Sequence, residues 1–443
     1  MHPNQTAPQR PHAARPPGRR PRRRPLLSAA TLAACLAAAY PAAASASGTA
    51  AAQPAQPLNC GTPDFFIQCY TPQAYEVAYG VAPLLRRGID GHGETVVMPE
   101  LAETPSSHGV VYTGIRQDLA AFDSKFGLPT AKLQVVNTIA RSTTPYLSGS
   151  EEVEDTEMVH AFAPGASLDV VLVPHDAESS SANFAAAITR AIQEGVALHG
   201  AVISISASGG EHLFSPAEVA RMRAALEQAR DQHVTVVASS GDTGAISDQG
   251  PPKQVSLPAS DPLVLAVGGT ILDATLATGA YHGEMAWNEG TEASGGGYSS
   301  LFPRPAYQDG VARIGATRGV PDVAANADST TAMALDFGGG GGLSPAQGTS
   351  AATPLWAGVI ALADQQAGQH LGYVNPAIYH IARSPAYHRA FHDVTTGDNS
   401  VLWPTGVFTG YTAGPGWDPV TGWGSPNAQY LVPLLAHTAR SGS

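Results

Sequence analysis

The sequence predicts an α/β domain with a mostly parallel central sheet and helices on both faces. Short apolar runs at 95–98, 168–173, 202–206, 234–239 and 263–267 have the length and composition of buried strands. Longer helical segments, such as 182–197 and 215–232, lie between these strands, as crossover connections in a parallel sheet require. Functional side chains are then expected in the loops at the carboxyl ends of the strands.

The N-terminal residues 1–46 are predicted to be a secretory signal peptide. Seven arginines and no acidic residue precede Leu26, and an uncharged Ala/Leu run and small residues at 42–46 follow. The arginine cluster is compatible with either general or twin-arginine export. Residues 47–59 are interpreted as a short linker, 60–435 as one large domain and 436–443 as a C-terminal tail. No later apolar run is long enough to span a membrane, so we expect a secreted protein.

Removal of the signal peptide leaves a strongly acidic protein. Seven of the 24 basic residues are lost, so 17 remain against 36 acidic ones, a net charge of about −19. This charge disfavours nucleic acid as a partner. Only Cys60 and Cys69 remain of the cysteines, and in an exported protein they are expected to form a disulfide.

A small-residue turn near the C-terminus presents one serine, Ser350, at the start of an apolar helix. The string at 348–354 is Gly-Thr-Ser-Ala-Ala-Thr-Pro, and Leu-Trp-Ala-Gly-Val-Ile-Ala-Leu follows. A serine at a helix N-terminus has its backbone N–H available to an oxyanion, and the helix dipole favours negative charge there. The string therefore suits a nucleophile, although a helix-capping serine is the simpler interpretation of this string alone.

Carboxylates at helical spacing lie upstream of this serine. Glu151 and Asp155 are one turn apart on a predicted helix that ends near Pro164. Two carboxyls at this spacing repel each other in a closed site, and one is pushed towards its protonated form, which suits general acid and base chemistry. A solvated acidic face is the alternative, because Glu152, Glu154 and Glu157 are close by.

Taken together, these motifs resemble the sedolisin family of serine-carboxyl peptidases, over residues 60 to 435 and in the family's order. The resemblance implies a subtilisin-like fold and adds Asp242, in Ser-Ser-Gly-Asp-Thr-Gly at 239–244. The further strings that carry it are Tyr-Thr-Pro at 70–72, Gly-His-Gly-Glu-Thr at 91–95, Ser-Ile-Ser at 204–206, Val-Gly-Gly-Thr at 267–270, Ser-Gly-Gly-Gly-Tyr-Ser at 294–299 and Arg-Gly-Val-Pro-Asp at 318–322.

The resemblance implies a role for each reactive residue. Ser350 would be the nucleophile, Glu151 its general base, Asp155 the carboxylate that orients Glu151, and Asp242 a side-chain donor in the oxyanion hole. A carboxyl can donate a hydrogen bond only while protonated. At pH ~4 a glutamate is still partly ionised and can act as a base, whereas a histidine is protonated and cannot. The implied enzyme therefore cleaves proteins or peptides in acid, as an endopeptidase or a tripeptidyl-peptidase, and is a monomer.

The resemblance also implies one structural calcium ion. Asp393 and Asp418 would bind it through their side chains, and Val394, Gly414 and Gly416 through backbone carbonyls, since calcium prefers oxygen ligands. A turn with a buried tryptophan is the alternative for this segment.

The sequence departs from the family's pattern near the site. Glu100 is in place to extend the carboxyl network, but Ala207 stands where an aromatic is common and Gln347 where a glycine is common. Two other classes are weighed against the prediction. A subtilisin-type Ser-His-Asp peptidase would use His108, and an inactive binding protein would use the same scaffold without catalysis.

Overall fold

The computed structural model of the chain describes residues 58–61, 66–101, 114–138, 150–174, 177, 179–247, 250, 252–338 and 342–441. The predicted signal peptide, most of the predicted linker and His108 lie outside these residues.

The helices in this part of the chain, numbered in chain order, are α1 (Pro72–Ala78), α2 (Ala82–Leu85), α3 (Ile115–Phe126), α4 (Ser150–Phe162), α5 (Ser181–Ala197), α6 (Pro216–Asp231), α7 (Gly348–Ala367), α8 (Asn375–Ala382), α9 (Tyr387–Ala390) and α10 (Ala428–Ser441).

The strands, numbered in the same way, are β1 (Leu58–Asn59), β2 (Gln68–Cys69), β3 (Thr95–Leu101), β4 (Lys132–Asn137), β5 (Ser167–Val173), β6 (Val202–Ile205), β7 (Gly209–Gly210), β8 (Thr235–Ser239), β9 (Ser256–Leu257), β10 (Leu265–Ala274), β11 (Tyr281–Ala286), β12 (Gly297–Pro303), β13 (Thr317–Val320), β14 (Val323–Asn326), β15 (Ala334–Phe337), β16 (Gly342–Pro345), β17 (Phe391–His392), β18 (Val401–Trp403), β19 (Gly406–Phe408) and β20 (Ser425–Pro426).

The central sheet has the strand order β11-β10-β8-β6-β3-β5-β4, and β14 also pairs with β10. The pairs β4–β5, β5–β3, β3–β6, β6–β8, β8–β10 and β10–β14 are all parallel, whereas β11 is antiparallel to β10. The predicted mostly parallel sheet is confirmed, and the carboxyl ends of β3, β6 and β8 are neighbours at one edge.

Alternate residues of each strand pack on opposite faces of the sheet. On β3, Val96 and Met98 belong to the core that contains α4, α7 and α10, whereas Val97 packs with α5 and α6. Burial on both faces explains why these strands are apolar runs rather than alternating patterns. The predicted helices on both faces are therefore present.

Helix α7 runs through the larger core, and its residues from Gly348 to Thr349 and from Ala351 to Asp364 are buried. It packs closely on α4 at Gly358, where an added Cβ would lie 2.8 Å from the Cβ of Phe162. The small residue permits two buried helices to approach, and these are the helices that carry Ser350 and the predicted base.

Three further sequence interpretations can be compared with the structure. The predicted disulfide joins Cys60 to Cys69, whose Cα atoms are 6.0 Å apart. Leu58–Asn59, assigned to the linker, pairs with β2 as a strand. Residues 436–441, assigned to a tail, continue α10, because the apolar pattern that buries Leu431, Leu435 and Ala436 does not stop at 435.

Among the described residues, none of the helices combines the length and apolar character that crossing a membrane requires.

Candidate active site

Ser350 is the third residue of α7, at the buried N-terminus of that helix. Gly348 precedes it with φ +80°, a conformation that favours glycine, and a Cβ there would lie 2.7 Å from Oδ2 of Asp242. Glycine is thus required both by the backbone and by the close approach of Asp242.

A proline four residues later changes the hydrogen bonding of the nucleophile's own backbone. Pro354 has no N–H, so it cannot donate the usual helical bond to the Ser350 carbonyl. The hydroxyl oxygen of Ser206 lies 3.4 Å from that carbonyl oxygen, but its single proton has a closer acceptor, Oδ1 of Asp155 at 2.8 Å. The Ser350 hydroxyl lies 3.3 Å from the Ser206 carbonyl oxygen. Ser206, which directly follows β6, therefore lies between the nucleophile and Asp155 and contacts both.

Asp242 lies in the loop after β8 and contacts the residue before the nucleophile. Its Oδ1 accepts hydrogen bonds from the Thr349 backbone N–H at 2.8 Å and from the Thr349 hydroxyl at 2.6 Å. The same hydroxyl accepts from the Gly241 N–H at 3.2 Å. The carboxyl of Asp242 is thereby fixed beside the start of α7, where an oxyanion hole would form.

Glu151 and Asp155 lie on α4, one turn apart as predicted, and Glu151 is hydrogen-bonded to the Ser350 side chain. The pKa of Glu151 is raised well above its ordinary value, chiefly by burial and then by Asp155, while hydrogen bonding from Ser350 acts to lower it. Glu151 keeps slight solvent exposure, whereas Asp155 is fully buried. The more accessible carboxyl is the one nearer the nucleophile, as a base that meets substrate requires.

Behind Glu151, the buried carboxyls form a chain that ends on β3. The Ser206 hydroxyl donates to Oδ1 of Asp155 at 2.8 Å. Burial raises the pKa of Asp155 to about 7, against the hydrogen bonds it accepts from Glu100 and Ser206. Burial and the neighbouring Asp155 raise the pKa of Glu100 strongly, so Glu100 is the protonated partner of that pair.

Three oxygen atoms of these buried carboxyls have no hydrogen-bond donor among the residues that the structure describes. They are Oε1 of Glu100, Oε1 of Glu151 and Oδ2 of Asp155. Buried carboxylate oxygens in such positions are costly unless a proton is shared between neighbouring groups. The arrangement therefore retains protons well above the pH at which free carboxyls release them.

Sequence reasoning missed three contributors. Ser206 was visible only as part of a strand motif, Thr349 only as a motif neighbour of Ser350, and Glu154 only as part of an acidic face. In the structure Glu154 is buried, and its Oε2 accepts from the Gln347 backbone N–H at 3.2 Å. The unusual density of acids on one helix was the available signal, but it did not distinguish buried from solvated faces.

His160 is remote from this chemistry. Its ring Nε2 lies 2.8 Å from the Pro129 carbonyl oxygen and 3.0 Å from Oδ1 of Asp123. The side chain is fully buried, so it packs between α4 and α3. The structure therefore assigns this histidine a structural position.

The predicted calcium residues come together at one loop. The Gly416 N–H donates to both carboxyl oxygens of Asp393, at 3.1 and 3.2 Å, and the Gly414 N–H donates to Oδ2 of Asp418 at 3.1 Å. The Thr421 hydroxyl lies between Oδ2 of Asp418 and the Val394 carbonyl oxygen. The two carboxylates and nearby carbonyls are all hard oxygen donors, so the donor chemistry fits calcium.

The same loop lacks a larger ligand cluster. Within the described ranges, no group of three or more His, Cys, Asp or Glu side chains is arranged to hold a metal ion. The guanidinium of Arg313 also packs on Gly414. A calcium ion here would therefore depend on backbone carbonyls for most of its ligands and would share the loop with one cationic side chain.

Comparison with known proteins agrees with this architecture. Residues 138–391 match the model of the subtilase family. The chain is 34% identical over 386 residues to kumamolisin from Bacillus sp. (strain MN-32). This alignment covers 84% of this chain and 64% of kumamolisin. The chain is 33% identical over 330 residues to sedolisin from Pseudomonas sp. (strain 101), covering 70% of this chain and 53% of sedolisin.

A solved structure extends the comparison to three dimensions. Pseudomonas sedolisin, a serine-carboxyl proteinase complexed with two molecules of pseudo-iodotyrostatin, superposes with a TM-score of 0.68 and 27% identity, over 86% of this chain and 99% of that one. The chain spans roughly half to two thirds of the curated relatives named above. The chain therefore belongs to the subtilase family, and its predicted membership of the sedolisin group is confirmed.

Proposed function

We propose that the protein is a secreted, acid-active serine-carboxyl peptidase that cleaves proteins or peptides through an acyl-enzyme on Ser350. The observation that carries this proposal is the convergence of Ser350, Glu151, Asp155 and Asp242 from a helix start, a second helix and a strand-end loop. The sequence of residues 1–46 supports secretion. The strong net negative charge disfavours nucleic acid as a partner and favours a monomer.

In the first half of the reaction, Glu151 takes the proton of the Ser350 hydroxyl as that oxygen attacks the substrate carbonyl carbon. Asp155 accepts from Ser206 and faces Glu151, so it orients the base and stabilises it once protonated. The tetrahedral oxyanion would be met by the Ser350 backbone N–H and by the Asp242 carboxyl. Glu151 then returns its proton to the leaving amine.

The proposed proton of Asp242 is best assigned to Oδ2. Oδ1 already accepts two hydrogen bonds from Thr349, and Oδ2 is the oxygen that approaches Gly348 at the helix start. In the second half of the reaction, water attacks the acyl-enzyme with Glu151 again as base, and Ser350 is regenerated. The same oxyanion contacts serve both halves.

Calcium at Asp393 and Asp418, with carbonyls of Val394, Gly414 and Gly416, would serve stability rather than chemistry. Both carboxylates hold the backbone of a single Gly-rich loop. A bound cation would neutralise these charges and tie the segments around 393 and 418 together.

Acid tolerance follows from the buried carboxyls. The pKa values of Glu76 and Asp155 are each raised to about 7, and those of Glu100, Glu154 and Glu157 are raised well above the ordinary value of a glutamate, with burial as the largest cause in each case. The folded state therefore binds these protons more tightly than the unfolded chain. Stability from this source is present in acid and is lost as pH rises above the unfolded pKa values.

The first prediction concerns catalysis. Ser350→Ala and Glu151→Ala should lower kcat by orders of magnitude, and Asp242→Ala by roughly 10²- to 10³-fold, as loss of an oxyanion donor does. Turnover of a peptide substrate at acid pH, with thermal melts to verify folding, measures this. His108→Ala is the control and should retain most activity. Loss of activity in that variant, with retention in Glu151→Ala, would favour the subtilisin-type mechanism.

The second prediction concerns the pH profile. Activity should rise as Glu151 loses its proton and fall towards neutrality as Asp242 loses its own. Ordinary carboxyl pKa values place the optimum at roughly pH 3 to 5, and burial of Glu151 moves the acid limb upward from there. Initial rates on a denatured protein between pH 2 and 9 measure the profile. An optimum near pH 8 would contradict the assigned roles.

The third prediction concerns stability and pH. The melting temperature should be higher near pH 4 than near pH 8, because the raised pKa values favour the protonated folded state. Glu100→Gln, which mimics the protonated carboxyl, should flatten the fall above about pH 5. Differential scanning fluorimetry across this range is sufficient. A wild-type melting temperature that increases steadily with pH would show that these groups do not dominate.

The fourth prediction concerns calcium. EGTA should lower the melting temperature at pH 6, and added calcium should restore it, because an ion that binds only the folded state stabilises it. Asp418→Asn should melt at a lower temperature and no longer respond to either reagent. Asp398→Asn, on a neighbouring turn, is the control and should keep the response. If wild type melts alike in EGTA and calcium, the loop holds no calcium.

A further inference from the structure

Glu154 is a buried carboxyl for which the proposed mechanism has no use. It lies on α4 between Glu151 and Asp155, and its side chain is 8% exposed. Oε2 accepts from the Gln347 N–H at 3.2 Å, and Oε1 is buried without a hydrogen-bond donor in the described part of the chain. A buried carboxyl destabilises the folded state unless hydrogen bonds compensate for the water it has lost, so its contacts are expected to have a role.

Gln347 is the N-cap residue of α7 and does not cap the helix with its own side chain. Its backbone is extended, with φ −148° and ψ 156°. Its side-chain Nε2 instead donates to Oε2 of Glu292 at 2.8 Å. The capping contacts of this helix therefore come from outside it.

Two contacts from other elements replace an ordinary capping box. In that motif the N-cap side chain accepts a backbone N–H in the first turn, and a glutamate at the third helical position accepts the N-cap N–H. Here Asp242 accepts the Thr349 N–H, and Glu154 accepts the Gln347 N–H. The third helical position is Ser350 itself, which cannot supply the glutamate's contact.

We propose that Glu154 is a positioning residue that caps the nucleophile helix from α4 and so fixes Ser350 relative to Glu151. The contact links the base-bearing helix directly to the residue three positions before the nucleophile. Neither outside contact engages the Ser350 N–H, which is thus left to the oxyanion. This inference rests on the proposed function, because it assigns how that site is held together.

The surroundings of Glu154 keep it protonated in acid. Burial raises its pKa well above the ordinary value, and Glu151 and Asp155 on α4 and Asp242 in the β8 loop add to this shift, whereas the hydrogen bond from Gln347 opposes it. Because the ionised Glu151 is one cause of the shift, Glu151 loses its proton before Glu154 does. Glu154 is therefore a neutral acceptor for the Gln347 N–H in the pH range in which Glu151 becomes a base.

The fifth prediction uses two substitutions with different consequences. Glu154→Leu removes the acceptor and should lower kcat by about tenfold to a hundredfold with little change in KM, because the nucleophile is misplaced rather than substrate binding lost. Glu154→Gln keeps an acceptor oxygen and should retain kcat within about threefold. In Glu154→Gln the acid limb of the kcat profile should keep its wild-type position, because Glu154 is still protonated, and so uncharged, while Glu151 loses its proton.

Glu157 offers a matched control on the same helix. It is fully buried, and its Oε2 accepts from the Asp336 backbone N–H at 2.8 Å, away from the nucleophile. Glu157→Leu and Glu157→Gln should alter the melting temperature as the Glu154 variants do, but leave the pH profile and kcat per folded molecule at wild-type values. Folded protein is quantified by circular dichroism and thermal melts before each rate measurement.

The outcomes separate this inference from the proposed function. A wild-type kcat in Glu154→Leu, or an equal loss in Glu157→Leu, would overturn the positioning role. If Glu154→Leu does not fold, Glu154→Asp replaces it, and a wild-type kcat in that variant, whose shorter side chain withdraws the acceptor from the Gln347 N–H, overturns the role as well. Ser350→Ala is run alongside: if that variant stays active, the proposed nucleophile is wrong, whereas if it is inactive and Glu154→Leu is normal, only the positioning role fails.

Discussion

Most of the site depends on one interaction, in which carboxyl oxygens accept hydrogen bonds from the backbone N–H groups at the start of α7. Asp242 accepts from the first turn of the helix, Ser206 contacts both Ser350 and Asp155, and Glu154 accepts from the N-cap residue. A helix N-terminus favours negative charge through its unpaired N–H groups and its dipole. The helix start therefore favours carboxyl groups at this position.

The buried carboxyls link catalysis to stability. Glu100, Glu151 and Asp155 all have pKa values raised first by burial, and Asp155 also raises those of Glu100 and Glu151. In acid Glu100 holds its proton and donates to Asp155, whereas Glu151 has to lose its own proton to act as the proposed base. At neutral pH burial opposes the ionisation of all three groups. Acid therefore favours the folded state, and it is also the range in which a carboxyl rather than a histidine can serve as a base.

The close approach of two buried helices is what permits this arrangement. Gly358 lets α7 approach α4 at Phe162, and Pro354 frees the Ser350 carbonyl for Ser206. The carboxyl ends of β3, β6 and β8 then bring Glu100, Ser206 and the Asp242 loop to the same edge of the sheet. The reactive groups come from distant parts of the sequence, so their geometry is set by packing rather than by any local motif.

The sequence alone determined the α/β class, the parallel sheet, the Glu151–Asp155 spacing and the serine at a helix start, because these depend on local periodicity and on short motifs. Apolar runs indicate buried strands wherever they stand, and the i, i+4 spacing places two side chains on one face. Only the tertiary structure decided which acids are buried. Glu152, Glu154 and Glu157 read alike in sequence as a solvated face, and the packing of α7 and β15 on α4 determined which backbone N–H groups Glu154 and Glu157 contact. The roles of Ser206 and Thr349, and the continuation of α10 beyond 435, likewise depend on contacts between segments far apart in the chain, which no local pattern encodes.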